Sequence, residues 1–289
     1  MKAVPLWIMT IMTLISSVAG AQSARELKDV VYATVDGKPL GLDIHMPAGV
    51  RNPPLVVWVH GGAWSAGNKS NYPAELVANG FAVASLDFRQ TTEARFPANV
   101  HDIKAGIRFL RAKAAEYGYR ADKIAIAGAS SGGHLAALVG VTNGHTELEG
   151  TVGGEYAKQS SGVQAIVSYF GASNLNSILA QSTPFGLGVR KPALERLLGA
   201  LPENAKELAT LASPVAHVDA SDPPLLLLHG DQDPQMPINQ SHELHGAYKK
   251  LGLDAELEVL HGAAHGGDVF FRGEALEKVV AFLRRTTTT

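Results

Sequence analysis

Hydrophobic residues along this chain switch between a period of two and a period near 3.6, and the switching draws a sequence of strands and helices. Residues 30–35 and 40–45 alternate apolar and polar positions on either side of Asp36-Gly37, a turn dipeptide, which predicts an opening hairpin. Residues 55–59 are an unbroken apolar run, the mark of a strand covered on both faces. A short helix over 74–79 closed by Gly80 precedes a strand at 81–86. Val100, Ile103, Ile107, Leu110 and Ala114 then recur at helical spacing across 100–117, stopped by Gly118. A strand at 123–127, a helix from His134 to Leu138, and strands at 163–170 and 225–228 follow. The pattern ends with a helix at 238–251, a strand at 255–260, a helix at 274–284, and a frayed tail at 286–289.

Strands alternating with helices over this length imply an α/β protein with a mainly parallel (mixed) sheet and helices on both faces. Two stretches break the rhythm. Residues 140–162 form a polar, glycine-rich loop, and 173–216 form a longer insertion with helical patches at 193–198 and 205–211 between Pro184, Pro192 and Pro202. An insertion between two sheet strands is a candidate cap. With no internal repeat or low-complexity linker, residues 22–289 are expected to be one domain.

Composition narrows the chemistry. Of 289 residues, 46% are hydrophobic, enough to fill one large core. A net charge of −2 with scattered basic residues argues against a nucleic-acid partner. The absence of cysteine excludes disulfides, thiolate metal sites and a cysteine nucleophile. Met1-Lys2, an apolar run over 6–18 and Ala19-Gly20-Ala21 have the form of a leader with a cleavage site, so residues 1–21 predict export to a bacterial periplasm or the medium. The run is shorter than the ~20 residues that span a bilayer, and no stable span is expected once the leader is cut.

Gly128-Ala129-Ser130-Ser131-Gly132 fits G-x-S-x-G between a predicted strand and a predicted helix, the setting of a nucleophile elbow. A nucleotide-binding turn would require G-x-G-x-x-G or a Gly-Lys-Ser/Thr ending, and neither is present. A serine hydroxyl needs a base, and the base needs an orienting carboxylate, further along in the order Ser, Asp, His. Both follow predicted strands. The stretch His229-Gly230-Asp231-Gln232-Asp233 supplies the acid, with Asp233 and Asp231 competing. The stretch His261-Gly262-Ala263-Ala264-His265 supplies the base, with His265 favoured over His261. His101, His242 and His245 fall on helix faces and are expected to be solvated, and no metal site is supported. His60-Gly61-Gly62-Ala63-Trp64 follows the strand at 55–59 and matches the H-G-G loop that supplies oxyanion donors in esterases and lipases. The expected donors are the N–H groups of Gly62, Ala63 and Ser131, with His60 holding the loop and Trp64 lining the mouth.

Together these motifs resemble the α/β-hydrolase superfamily, and more narrowly its branch of hormone-sensitive-lipase-like enzymes and bifunctional feruloyl and acetylxylan esterases. The resemblance spans nearly all of residues 28–284. It implies Ser130 as nucleophile, His265 as base and, through the H-G-x-x-D motif, Asp233 as acid. Ser131 departs from the alanine that relatives often carry, and Asp87-Phe88-Arg89 corresponds to a structural Asp-Tyr-Arg. The implied activity is that of an exported, cofactor-free serine carboxylesterase, acting through an acyl-enzyme on feruloyl or acetyl groups of plant polysaccharide. A peptidase resembling prolyl oligopeptidase is the alternative, but only residues 22–54 lie between the leader and the 55–59 strand, where that family carries a large domain. A non-catalytic binding protein on the same fold typically lacks a triad member.

Overall fold

The computed structural model describes residues 24–288; the expected leader at 1–21 lies outside them. Strands β1 (Arg25–Val35), β2 (Lys38–Met46), β3 (Pro54–Val59), β4 (Ala82–Leu86), β5 (Arg120–Ala129), β6 (Ala165–Tyr169), β7 (Leu225–Gly230) and β8 (Ala255–Leu260) join in one sheet. Their order is β1-β2-β4-β3-β5-β6-β7-β8. The pairs β1/β2 and β2/β4 are antiparallel, and every later pair is parallel. Asp36 and Gly37 both have positive φ (50° and 79°), as a two-residue hairpin with the native strand twist requires. All six residues of β3 are buried, which is why its apolar run does not alternate.

The helices are α1 (Ala74–Ala78), α2 (Ala98–Tyr117), α3 (Ser131–Gly140), α4 (Thr146–Glu149), α5 (Ile178–Gln181), α6 (Pro184–Leu198), α7 (Lys206–Leu211), α8 (Asn239–Lys250) and α9 (Gly273–Thr287). Gly118 ends α2 in the left-handed conformation (φ 82°), its N–H returning to Ala114 O. Apolar side chains of α2 and α3, of the 173–216 insertion and of α8 pack on one sheet face, and those of α1 and α9 on the other. Each face of the parallel strands is therefore covered.

Three local expectations are corrected. Residues 140–162 are not a plain loop: α4 forms there because its Glu149 accepts from Lys104 Nζ (2.7 Å), Arg108 Nη1 (2.9 Å) and Ser161 Oγ (2.8 Å). Pro192 does not separate helical patches but lies inside α6. The ring costs that helix one backbone bond, to Gly188, while buried Ala193, Leu194 and Leu197 hold the helix to the core. The tail is not frayed at 286–287. Thr287 is buried, and Arg120 Nη2 donates to its carbonyl (3.0 Å), carrying α9 to that residue.

The insertion is tied down rather than loose. Leu175, Ile178, Ala193, Leu194, Leu197, Ala209 and Ala212 are fully buried in the core, and Phe96 N–H donates to Leu197 O (3.1 Å). The N-terminal turn of α6 rests on the loop after β7, where a Cβ on Gly186 would lie 3.0 Å from Pro234 O.

Candidate active site

Ser130 links β5 to α3 with φ 55° and ψ −120°, a conformation that costs about 1–3 kcal/mol for a non-glycine residue. Backbone packing imposes it. A Cβ on Gly128 would lie 2.3 Å from Gly132 O, and one on Gly132 would lie 2.0 Å from Val59 O, so only glycine lets strand and helix approach this closely. Ser130 N–H donates to Tyr169 O (2.9 Å), pinning the turn to β6.

Two further loops close on this serine. His265 Nε2 lies 2.8 Å from Ser130 Oγ, and its Nδ1 lies 2.6 Å from Asp233 Oδ2. Because the carboxylate only accepts, Nδ1 carries the proton and Nε2 is left bare toward the serine hydroxyl. The two loops support each other: Gln232 N–H donates to Ala263 O (3.0 Å), and a Cβ on Gly230 would lie 2.2 Å from that same oxygen. The edge of Phe170 packs on the imidazole with centroids 4.8 Å apart.

The Asp233 side chain has no solvent exposure, and its hydrogen bonds explain how it stays charged. Oδ1 accepts from Gln235 N–H (2.8 Å) and Met236 N–H (2.9 Å). Oδ2 faces His265 Nδ1 and, at 3.4 Å, His229 Nε2. Burial pushes this carboxyl upward, but the bonds from His229, His265 and the Met236 amide outweigh it and hold the group well below the usual carboxylate range. The competing Asp231 is used otherwise: its carboxylate accepts from exposed His261 Nδ1 (2.8 Å) and from Gly262 N–H (2.8 Å), bracing the turn.

The H-G-G loop lies directly against the serine, since a Cβ on Gly61 would sit 3.4 Å from Ser130 Cβ. Gly62, Ala63 and Trp64 all have positive φ (125°, 52° and 60°). The loop's own bonds run from Ser65 and Ala66 N–H to Gly62 O (both 3.0 Å) and from Thr91 N–H to Trp64 O (2.8 Å). The N–H groups of Gly62, Ala63 and Ser131 meet no acceptor among the described residues. Ser131 opens α3, whose macrodipole also favours an anion there. His60 serves the loop as expected, with Nδ1 2.8 Å from Gly61 O and its ring stacked on Phe88.

Trp64 corrects an expectation. It does not line the mouth: it is 1% exposed, packed in the core, and its Nε1–H donates to His134 Nδ1 (3.0 Å). A positive φ at this residue turns the indole inward, where Arg190 on α6 lies 5.9 Å from the ring centroid. The imidazole of His101 also departs from free solvation, lying with Nε2 3.0 Å from Glu147 O.

Three side chains near the site escape a reading of motifs. His229 was visible only as part of the H-G-x-x-D stretch. It sits fully buried behind Asp233, with Nε2–H shared between Met236 O (3.0 Å) and the carboxylate, and Nδ1 accepting from Ser241 Oγ (2.7 Å). His134 and Arg190 carried no spacing signal, because their partners come from remote segments. Hollow volume does not locate the site either. A groove of about 640 Å³ along α7 is lined by Glu147, Lys206, Glu207, Leu208, Thr210, Leu211 and His217, none of them a triad residue. Among the described residues no group of three His, Cys, Asp or Glu side chains is placed to hold a metal.

Comparison with known proteins places this geometry. Residues 42–248 match the family model described as BD-FAE. The probable carboxylic ester hydrolase LipM of Mycobacterium tuberculosis (strain ATCC 25618 / H37Rv) is 30% identical over 193 residues, covering 65% of this chain and 43% of LipM. The chain spans about half the length of such curated relatives. Among solved structures, a truncated form of carbohydrate esterase from gut microbiota superposes with TM-score 0.83 at 30% identity, covering 94% of this chain and 99% of that one. A bifunctional GH43-CE protein of Bacteroides eggerthii gives TM-score 0.79 at 34% identity over 90% of this chain and 35% of its own.

Proposed function

The chain belongs to the BD-FAE family and has the α/β-hydrolase fold, and from that premise we propose that it is a serine carboxylesterase. The observation that carries the proposal is the unbroken contact Ser130 Oγ–His265 Nε2 (2.8 Å) and His265 Nδ1–Asp233 Oδ2 (2.6 Å). Esterase names among the relatives and structural neighbours support it.

In the first half-reaction Ser130 Oγ attacks the ester carbonyl while His265 Nε2 takes the hydroxyl proton. Asp233 keeps the imidazole in the tautomer with a bare Nε2 and stabilises the imidazolium. The tetrahedral oxyanion takes up the free N–H groups of Gly62, Ala63 and Ser131, each worth about 2.7–4 kcal/mol to the barrier. His265 then passes its proton to the departing alcohol, leaving the acyl group on Ser130. Water repeats the cycle with the same base and releases the acid.

The finer proposal is that the ester sits on carbohydrate, as an acetyl or feruloyl group on plant polysaccharide. Its support is the pair of structural neighbours described as a carbohydrate esterase and as a GH43-CE protein. Export is likewise a proposal, resting on the leader pattern at 1–21. A panel of p-nitrophenyl acetate, methyl ferulate and acetylated xylan tests the first, with Ser130→Ala as control. Turnover of p-nitrophenyl acetate that vanishes in that variant is expected, and turnover equal to wild type would overturn the assignment.

A further inference from the structure

Trp64 belongs to the loop that offers the oxyanion donors, yet its indole is held from below by a histidine on another element. Trp64 Nε1–H donates to His134 Nδ1 at 3.0 Å, and His134 Nε2 lies 2.7 Å from Ala212 O. The carbonyl only accepts, so Nε2 carries the ring proton and Nδ1 is the bare acceptor that the indole needs. Burial, acting against the bond to Ala212, lowers this imidazole to about 4, and the neutral ring is therefore the resting form. His134 sits on the first turn of α3, with its own N–H on Ser130 O (3.0 Å), and Ala212 closes α7 in the 173–216 insertion. One imidazole thus joins the nucleophile's helix, the oxyanion loop and the insertion.

The loop needs such an anchor. Ala63 and Trp64 both occupy the left-handed region, which non-glycine residues hold only when their surroundings impose it. The bonds from Ser65 and Ala66 N–H to Gly62 O and the contact of His60 Nδ1 with Gly61 O orient the two peptide planes that carry the donors, and the bond from Thr91 holds Trp64 O; the indole anchors the side-chain end of the same turn.

We propose that His134 is a positioning residue for the oxyanion loop: by accepting the Trp64 indole N–H it holds the Gly62 and Ala63 N–H groups where the tetrahedral oxyanion forms. The proposal rests on the serine-esterase mechanism above. Its signature is a defect confined to the transition state. kcat falls, KM does not rise, and affinity for a tetrahedral-mimicking inhibitor falls with kcat.

Two substitutions separate the two bonds of the imidazole. His134→Asn places an amide oxygen near the Nδ1 position, within reach of the indole, and gives up Ala212. His134→Gln reaches the Nε2 position and Ala212 O, and leaves Trp64 without its acceptor. With p-nitrophenyl acetate, the expected result is a 10- to 100-fold loss of kcat in His134→Gln with KM within about twofold. His134→Asn should retain several-fold more activity, and a trifluoromethyl ketone should weaken in parallel with kcat. Equal kcat in the two variants, a loss carried by KM, or His134→Gln outperforming His134→Asn would overturn the proposal. If neither variant accumulates folded, Trp64→Phe carries the test, since it removes the donor while keeping an aromatic ring in the same buried place. A tenfold or larger fall in kcat at constant KM supports the proposal, and unchanged kcat overturns it. Ser130→Ala, run alongside, keeps the question distinct: wild-type turnover surviving in it would sink the esterase mechanism itself.

Discussion

Replacing Asp233 by asparagine has consequences that follow step by step from the hydrogen bonds. Oδ1 accepts from two backbone N–H groups, Gln235 (2.8 Å) and Met236 (2.9 Å), so the amide oxygen must take that place. The amide nitrogen then falls at the Oδ2 position, facing His265 Nδ1, which donates there in the parent (2.6 Å). Two donors cannot share that contact, and His265 resolves it by moving its proton to Nε2. That hydrogen then points at Ser130 Oγ, 2.8 Å away, where a lone pair is needed. The imidazolium also loses its counter-charge. Such a tautomer inversion lowers kcat by about 10⁴, or ~5.4 kcal/mol at 1.36 kcal/mol per factor of ten. The structural cost is smaller, about 1–3 kcal/mol for the disturbed buried donors, because His229 keeps Met236 O as an acceptor. The assay is kcat and KM for p-nitrophenyl acetate beside urea unfolding, with Asp231→Asn as companion. Asp231 serves His261, Gly262 and the Gln232 side chain, none of them a triad residue, so its variant should stay within a few-fold of the parent. An Asp233→Asn enzyme within tenfold of the parent, or an Asp231→Asn enzyme equally impaired, would refute the reasoning.

Other outcomes are as specific. Burial raises the Asp233 carboxyl, but the His229 and His265 bonds prevail and depress it, so its contribution to stability is complete above the unfolded carboxylate range of about 4 and drains as pH falls toward the lowered folded value. The gap in unfolding free energy between parent and Asp233→Asn should therefore shrink from pH 5 to pH 3; a gap that widens contradicts it. Glu149→Ala leaves the fully buried Lys104 ammonium on Thr142 O without its counter-charge and should cost about 3–5 kcal/mol in urea unfolding, with kcat of the folded fraction near that of the parent. A cost under 1 kcal/mol would mean that Lys104 finds other partners. Arg190 is 1% exposed and its Nε and Nη1 meet no acceptor among the described residues, so Arg190→Met should leave stability unchanged or raise it by about 1–4 kcal/mol. A loss of 3 kcal/mol would show that its contact with the Trp64 ring outweighs the buried charge. Gly132→Ala puts a Cβ 2.0 Å from Val59 O and should abolish activity together with folding stability; a stable, active variant would show that the elbow backbone can part.

Much of the fold was legible because parallel strands covered on both faces leave continuous apolar runs, as at 55–59, and because Asp36-Gly37 and Gly118 mark where the chain must take positive φ. The three triad positions were legible for a related reason: each lies in a loop past a strand's carboxyl end among glycines, which tight packing demands at 128, 132 and 230 and positive φ favours at 262 and 266. Which aspartate meets His265 was not settled by spacing, since Asp231 and Asp233 differ only in how far the loop carries them; the bonds to Gln235 and Met236 decide it. Trp64 escaped because a tryptophan after two glycines reads as a rim residue until its partner, seventy positions away on α3, is known. Helix α4 escaped for want of any apolar period, being held by a carboxylate among remote cations. Pro192 misled because local propensity predicts a break that tertiary burial of Ala193, Leu194 and Leu197 overrides.

The most direct test of the central claim is chemical. Incubation with one equivalent of a fluorophosphonate, followed by peptide mass spectrometry, should place a single adduct on Ser130 and none on Ser131, with labelling lost in His265→Ala. An adduct on Ser131, or labelling of His265→Ala at the parent rate, would contradict the mechanism.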